Sequence, residues 1–260
     1  MRNSFKQLIN SFKTLNFKFL FVIIFDLLFF IALYLSSFVF GKIMTKQAMK
    51  LQGLPLQTIG LELEQSQNIL KAVNSFIYSL IIVLFFMLLF MLFNWSFFRL
   101  LIWNLVIKGK AEIKRFWRFL LANLVWTLMW IVPFLFAFYP IILIAKMASV
   151  EKPPLFPFIG LGIVVCALLH FTYLYFIGFI VKKRIKDAIR FAFVTGAAKI
   201  KHLLLPYLFI FVSFIILSFI IYPLKFLPNK ISFLISLIIF VAYFAWLRFY
   251  ISSAVLSIDK

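Results

Sequence analysis

Residues 72–98 read AVNSFIYSLIIVLFFMLLFMLFNWSFF, twenty-seven positions without one charged side chain. At about 1.5 Å of rise per residue, such a helix exceeds the roughly 30 Å hydrocarbon core of a bilayer. The stretch therefore predicts a transmembrane helix, and the rest of the chain has to suit a membrane.

Composition agrees. Of 260 residues, 65% are hydrophobic and 13% charged, and the mean hydropathy is +1.12. Soluble domains carry about a quarter charged residues. The 38 phenylalanines and the net charge of +20 also suit a nucleic-acid surface, but the aromatics sit inside apolar runs, where lipid contact and helix packing explain them. The positive charge then matches anionic lipid headgroups. Cys166 is the single cysteine, so no intrachain disulfide forms, and no His, Cys or acidic cluster has metal-ligand spacing. No cofactor and no metal are expected.

Six spans follow, at about 19–40, 74–98, 119–145, 158–181, 203–222 and 231–255, within one membrane domain covering 1–260. The first follows a basic leader, but its apolar run is longer than a signal-peptide core and no small-x-small cleavage site follows, so it reads as a retained span. Residues 1–18 predict an interfacial helix, with Phe5, Leu8, Ile9, Phe12 and Leu15 on one face and Lys6 and Lys13 off it. Residues 41–73 form the long external loop, with a turn at Gly53-Leu54-Pro55 and a composition that also permits helix in part of it. Pro133 and Pro140 predict a kink or break in the third span. Assigning the connections to alternate sides puts 19 of the 27 Lys and Arg with the two termini. The positive-inside rule makes that side cytoplasmic, and the host is expected to be the cell membrane.

A template recurs before each odd-numbered span. Apolar residues at relative positions 0, 3, 4 and 7 are Phe5, Leu8, Ile9 and Phe12, then Ile113, Phe116, Trp117 and Leu120, then Ile185, Ala188, Ile189 and Ala192. Lys6, Lys114 and Lys186 follow the first position each time. The expected fold is thus all-α: six transmembrane helices as three hairpins, each preceded by a basic amphipathic interfacial helix on the cytoplasmic side. The same pattern also follows from any basic loop entering a membrane. This layout resembles several six-span families, among them the membrane domain fused to some bacterial glycerophosphodiester phosphodiesterases; the likeness is architectural, and no residue or activity is transferred from it.

Ionisable groups within spans are the candidate site, because in hydrocarbon they need a partner or a wet cavity. Asp26, Arg99, Arg248 and His170 form that set. The structural reading pairs Asp26 with Arg248 or Arg99; the functional one makes the four a polar cluster lining a cytoplasm-facing cavity. Asn94, Asn104 and Asn123 suit hydrogen bonds between helices. Anionic-lipid contacts are expected at Lys6, Lys13, Lys108, Lys110, Lys114, Arg115 and Arg118, and at Lys182, Lys183, Arg184, Lys186 and Arg190. GxSxG, HExxH, Walker A and GxGxxG motifs are missing and the chain holds seven carboxylates, so no catalytic residues are assigned and no enzyme is expected. The expected role is a non-catalytic scaffold or accessory subunit that engages anionic lipids and a partner protein or a second copy, with no nucleic acid. The alternative is a small permease or channel-like carrier.

Overall fold

The computed structural model describes Ile9 and residues 17–52, 63–110, 112–146, 156–182 and 184–258. Most of the predicted helix over 1–18, with Lys6 and Lys13, lies outside them, as do the turn at 53–55 and Lys183. Among the described residues the chain is all-helical, without strands. Its helices are α1 (Phe17–Gln52), α2 (Leu63–Lys108), α3 (Phe116–Lys146), α4 (Phe156–Lys182), α5 (Ile185–Phe193), α6 (Ile200–Ile221) and α7 (Asn229–Ile258). Six of them, all but the nine-residue α5, are long and apolar enough to cross a membrane. The chain is a multi-pass membrane protein.

Two helices run well past the apolar stretches. Residues 41–52 continue α1 and 63–73 open α2, where the sequence alone suggests a polar connection. Lys, Gln, Glu and Ala support a helix in water as well as in lipid, and no Gly or Pro interrupts the run from Lys42 to Gln52. Thr45 adds a hydroxyl bond back to the Gly41 carbonyl at 3.0 Å. In contrast, α3 passes unbroken through Pro133 and Pro140; membrane helices tolerate the missing donors where neighbours and local adjustment meet the freed carbonyls.

Two connections lie at the same end, between α2 and α3 and between α4 and α6. Gly109 turns the chain out of α2 with φ +72°, a left-handed conformation that glycine adopts without a Cβ penalty. Residues 112–115 are not helical, so of the second template copy only Phe116 onward is, as the start of α3 itself. The third copy is a separate helix, α5, which buries Ala188, Phe191 and Ala192 and exposes Lys186 and Arg190. A π-helical turn, Val194–Ala198, then leads into α6.

Packing is concentrated at this same end. Trp103, Phe119, Tyr175, Phe179, Leu203 and Tyr250 are almost fully buried there and belong to one cluster. Trp126 stacks on Tyr175 at 4.3 Å, and Phe119 meets Phe179 edge-on at 5.0 Å. Lys199 Nζ donates to the Ile258 carbonyl at 2.9 Å and ties the start of α6 to the end of α7, where a cation also suits the helix dipole. Toward the opposite end the helices expose their side chains: Phe136 is 82% exposed and Phe219 75%. Along the chain α1 packs on α2, α2 also on α3, α3 on α4 and α6 on α7, while α7 closes against α1.

Candidate functional site

A polar contact between residues 222 positions apart joins the first span to the last. Arg248 on α7 donates through Nη1 to Oδ2 of Asp26 and through Nη2 to Oδ1 at 3.1 Å. Arg99 on α2 donates Nη1 to the same Oδ1 at 3.2 Å. Asp26 is 2% exposed and Arg248 4%. Local sequence prepares the arginine: Trp95 lies one helical turn before Arg99, and its ring sits 4.3 Å from the guanidinium carbon, with Phe29 of α1 at 5.3 Å. Aromatic faces are favourable neighbours for a desolvated cation.

The three charges form the closed end of a cavity of about 560 Å³, bounded by α1, α2, α3, α4 and α7. Helical periodicity builds its walls. On α3, Asn123, Trp126, Thr127, Trp130, Ile131 and Phe134 fall at spacings of three and four residues and present one face. Thr172, Tyr173 and Phe176 do so on α4, and Val241, Phe244 and Arg248 on α7. Four of the six tryptophans, at 95, 103, 126 and 130, line the space. The size falls within the usual range for small-molecule sites, about 300–1,000 Å³, which are mostly apolar with a few placed polar groups.

Polar groups in the wall are only partly satisfied. Trp126 Nε1 donates to Thr172 Oγ1 at 2.9 Å, and Asn123 Nδ2 to Ser96 Oγ at 2.8 Å. Among the described residues, Asn123 Oδ1 and Trp130 Nε1, both buried and both on lining residues, have no hydrogen-bond partner. Leaving such groups unpaired costs about 1–3 kcal/mol each.

Of the four candidate cluster residues, the structure brings together Asp26, Arg99 and Arg248. His170 stands apart, between α4 and α6. Its Nε2 lies 3.3 Å from the Gly196 carbonyl of the π-helical turn and Nδ1 2.5 Å from Tyr207 Oη. A carbonyl only accepts, so Nε2 carries a proton, and in a neutral ring Nδ1 then accepts from the tyrosine hydroxyl. Gly196 allows this closeness: a Cβ there would lie 2.9 Å from His170 Nε2 and 2.6 Å from Phe171 Cε1. Asn104 Nδ2 donates to the Glu112 carbonyl at 2.9 Å and holds the turn after α2.

The basic residues lie at the packed end. Lys110, Lys114, Arg118, Lys182, Arg184, Lys186 and Arg190 are exposed and Arg115 is half-buried. Lys108 pairs with Glu112 at 3.5 Å. Sequence reasoning missed the tryptophan wall of α3. Its signal was the spacing of Asn123, Trp126 and Trp130 on one helical face within a span, away from the interfacial belts where membrane tryptophans collect.

No family model matches the chain, and neither the curated proteins nor the solved structures hold a significant match to it. What the described residues define is a class: a multi-pass membrane protein with six long apolar helices and, among them, an aromatic-walled cavity lined by Asp26, Arg99 and Arg248.

Proposed function

We propose that the protein is a non-catalytic component of the cell membrane that works by holding lipid, with both termini cytoplasmic and three hairpins lying side by side. The observation that carries this reading is that the exposed basic residues of 108–118 and 182–190 share one end of the bundle with the floor of a mostly apolar cavity. Lys and Arg near the cytoplasmic leaflet attract anionic headgroups at about 1 kcal/mol per charge. The pairwise packing of α1 with α2, α3 with α4 and α6 with α7 supports the hairpins, and the exposed polar face of α5 supports an interfacial helix there. A scaffold of this kind would act with a partner protein or a second copy.

The test is lipid retention. Purified from nanodiscs of mixed composition, the protein is expected to keep anionic over zwitterionic phospholipid by mass spectrometry. Replacing Lys110, Lys114, Arg118, Lys186 and Arg190 together by Gln should erase that preference; an unchanged lipid profile refutes the reading. The second reading, a carrier, is favoured by the convergence of Asp26, Arg99 and Arg248 on one cavity. Its mark is solute flux into proteoliposomes that Asp26→Asn abolishes.

A further inference from the structure

We infer that the cavity is the binding site of an amphiphile with one anionic headgroup and one apolar chain, the headgroup on Arg99 and the chain along the α3, α4 and α7 walls. This deepens the reading that the protein holds lipid, by assigning a specific occupant to a specific site.

Charge balance comes first. The floor holds two guanidiniums and one carboxylate, and Asp26 is the one acid among the residues lining the cavity. One positive charge is therefore left over in a place where side chains are withdrawn from water: the Arg99 side chain is 12% exposed and those of Arg248 and Asp26 are 5% and 3%. An uncompensated buried charge is costly, and a bound anion removes the cost.

Donor geometry then selects the arginine. Arg248 uses both terminal nitrogens on Asp26, whereas Arg99 contributes Nη1 alone. A guanidinium has five N–H donors, so Arg99 retains several for a carboxylate or a phosphate, and its stacking on Trp95 orients the fork.

The walls decide the rest. Exposure of the lining rises from the buried floor to Phe30, Phe134, Leu169 and Phe244, which are 39–54% exposed. The cavity thus opens among apolar side chains, where entry from hydrocarbon is favoured over entry from water. On α3 the lining runs from Asn123 to Phe134, about 16 Å at 1.5 Å per residue, room for most of one extended acyl chain. A head toward the basic loops with a chain toward the bilayer centre is also the polarity of a lipid in that leaflet.

Tryptophan fluorescence tests this directly. The full chain carrying Trp117→Phe, which removes an indole 74% exposed on the outside, is placed in zwitterionic nanodiscs and titrated with dibromostearate, whose bromines quench indoles on contact. The expected result is saturable quenching that unbrominated stearate relieves. Arg99→Gln should weaken it about tenfold or more, because a charge-assisted hydrogen bond to the headgroup is lost. Arg99→Lys, which keeps the charge, should recover most of it. The brominated amine and methyl ester of the same chain should quench only in proportion to their partitioning into lipid. Relief by lysophosphatidate at lower concentration than by stearate assigns the headgroup as phosphate, and the reverse order assigns carboxylate. Saturable quenching by the amine or the ester equal to that by the acid overturns the proposal, as does the lack of a saturable component with either anion. If Arg99→Gln fails to fold, the comparison of headgroups on the Trp117→Phe protein decides alone. Phospholipid retention measured on the same samples reads the basic surface separately: retention without saturable quenching fails only the cavity site, and loss of retention fails the broader reading.

Discussion

Asp26→Asn removes the carboxylate that joins α1 to both α2 and α7, and its cost follows from the ion triad. In the parent, the Asp26 carboxylate accepts from Arg248 through both oxygens and from Arg99 through one. In the variant, two guanidiniums share a buried floor with no counter-charge. Breaking a buried pair by removing one partner costs about 3–5 kcal/mol, because the remaining charge is stranded. For a protein of this size that corresponds to a melting temperature lower by on the order of 10 °C. Thermal unfolding in mild detergent, followed by near-ultraviolet circular dichroism, reads the shift. Asp26→Asn with Arg248→Gln restores the parent's net charge in the floor, so the double variant should be less destabilised than the two single costs added, by about 0.5–3 kcal/mol. The triple replacement of Asp26, Arg99 and Arg248 by Leu should be neutral or stabilising by about 1–4 kcal/mol. A stable triple variant without saturable dibromostearate quenching would separate the triad's ligand role from its structural one. An Asp26→Asn protein melting within about 2 °C of the parent would refute the argument that this carboxylate holds the three helices.

Further predictions concern packing and orientation. Gly178→Ala places a Cβ 2.8 Å from Phe191 Cδ1 and 3.2 Å from the Ala188 carbonyl, and Gly196→Ala places one against Phe171 and His170; each should cost about 1–3 kcal/mol in thermal unfolding. Gly160→Ala and Gly162→Ala meet nothing within 4 Å and should unfold like the parent or slightly later. Phe119→Ala empties a fully buried position between Phe176 and Phe179, with an expected loss of about 3–5 kcal/mol. In a Cys166→Ser background, Lys114→Cys and Arg190→Cys should react with a membrane-impermeant maleimide only after cells are permeabilised, and Lys46→Cys before; the opposite pattern refutes cytoplasmic termini.

Residue composition along the chain was enough to read the six apolar helices, because partition into hydrocarbon sums over consecutive residues and needs no knowledge of neighbours. The charge excess between spans was legible for the same reason. Helix ends were less so: 41–52 and 63–73 are polar and yet helical, since polarity governs depth in a bilayer while backbone propensity governs helix length. Only tertiary structure decided azimuth. Asp26 and Arg248 are 222 positions apart, and nothing along either helix says which way the two side chains turn. In a soluble protein an apolar stripe would mark the inward face; here lipid is as apolar as the interior, so the stripe carries no such information. That is why His170, equally polar and equally within a span, faces Tyr207 and Gly196 while the three charges gather beneath a tryptophan-walled cavity.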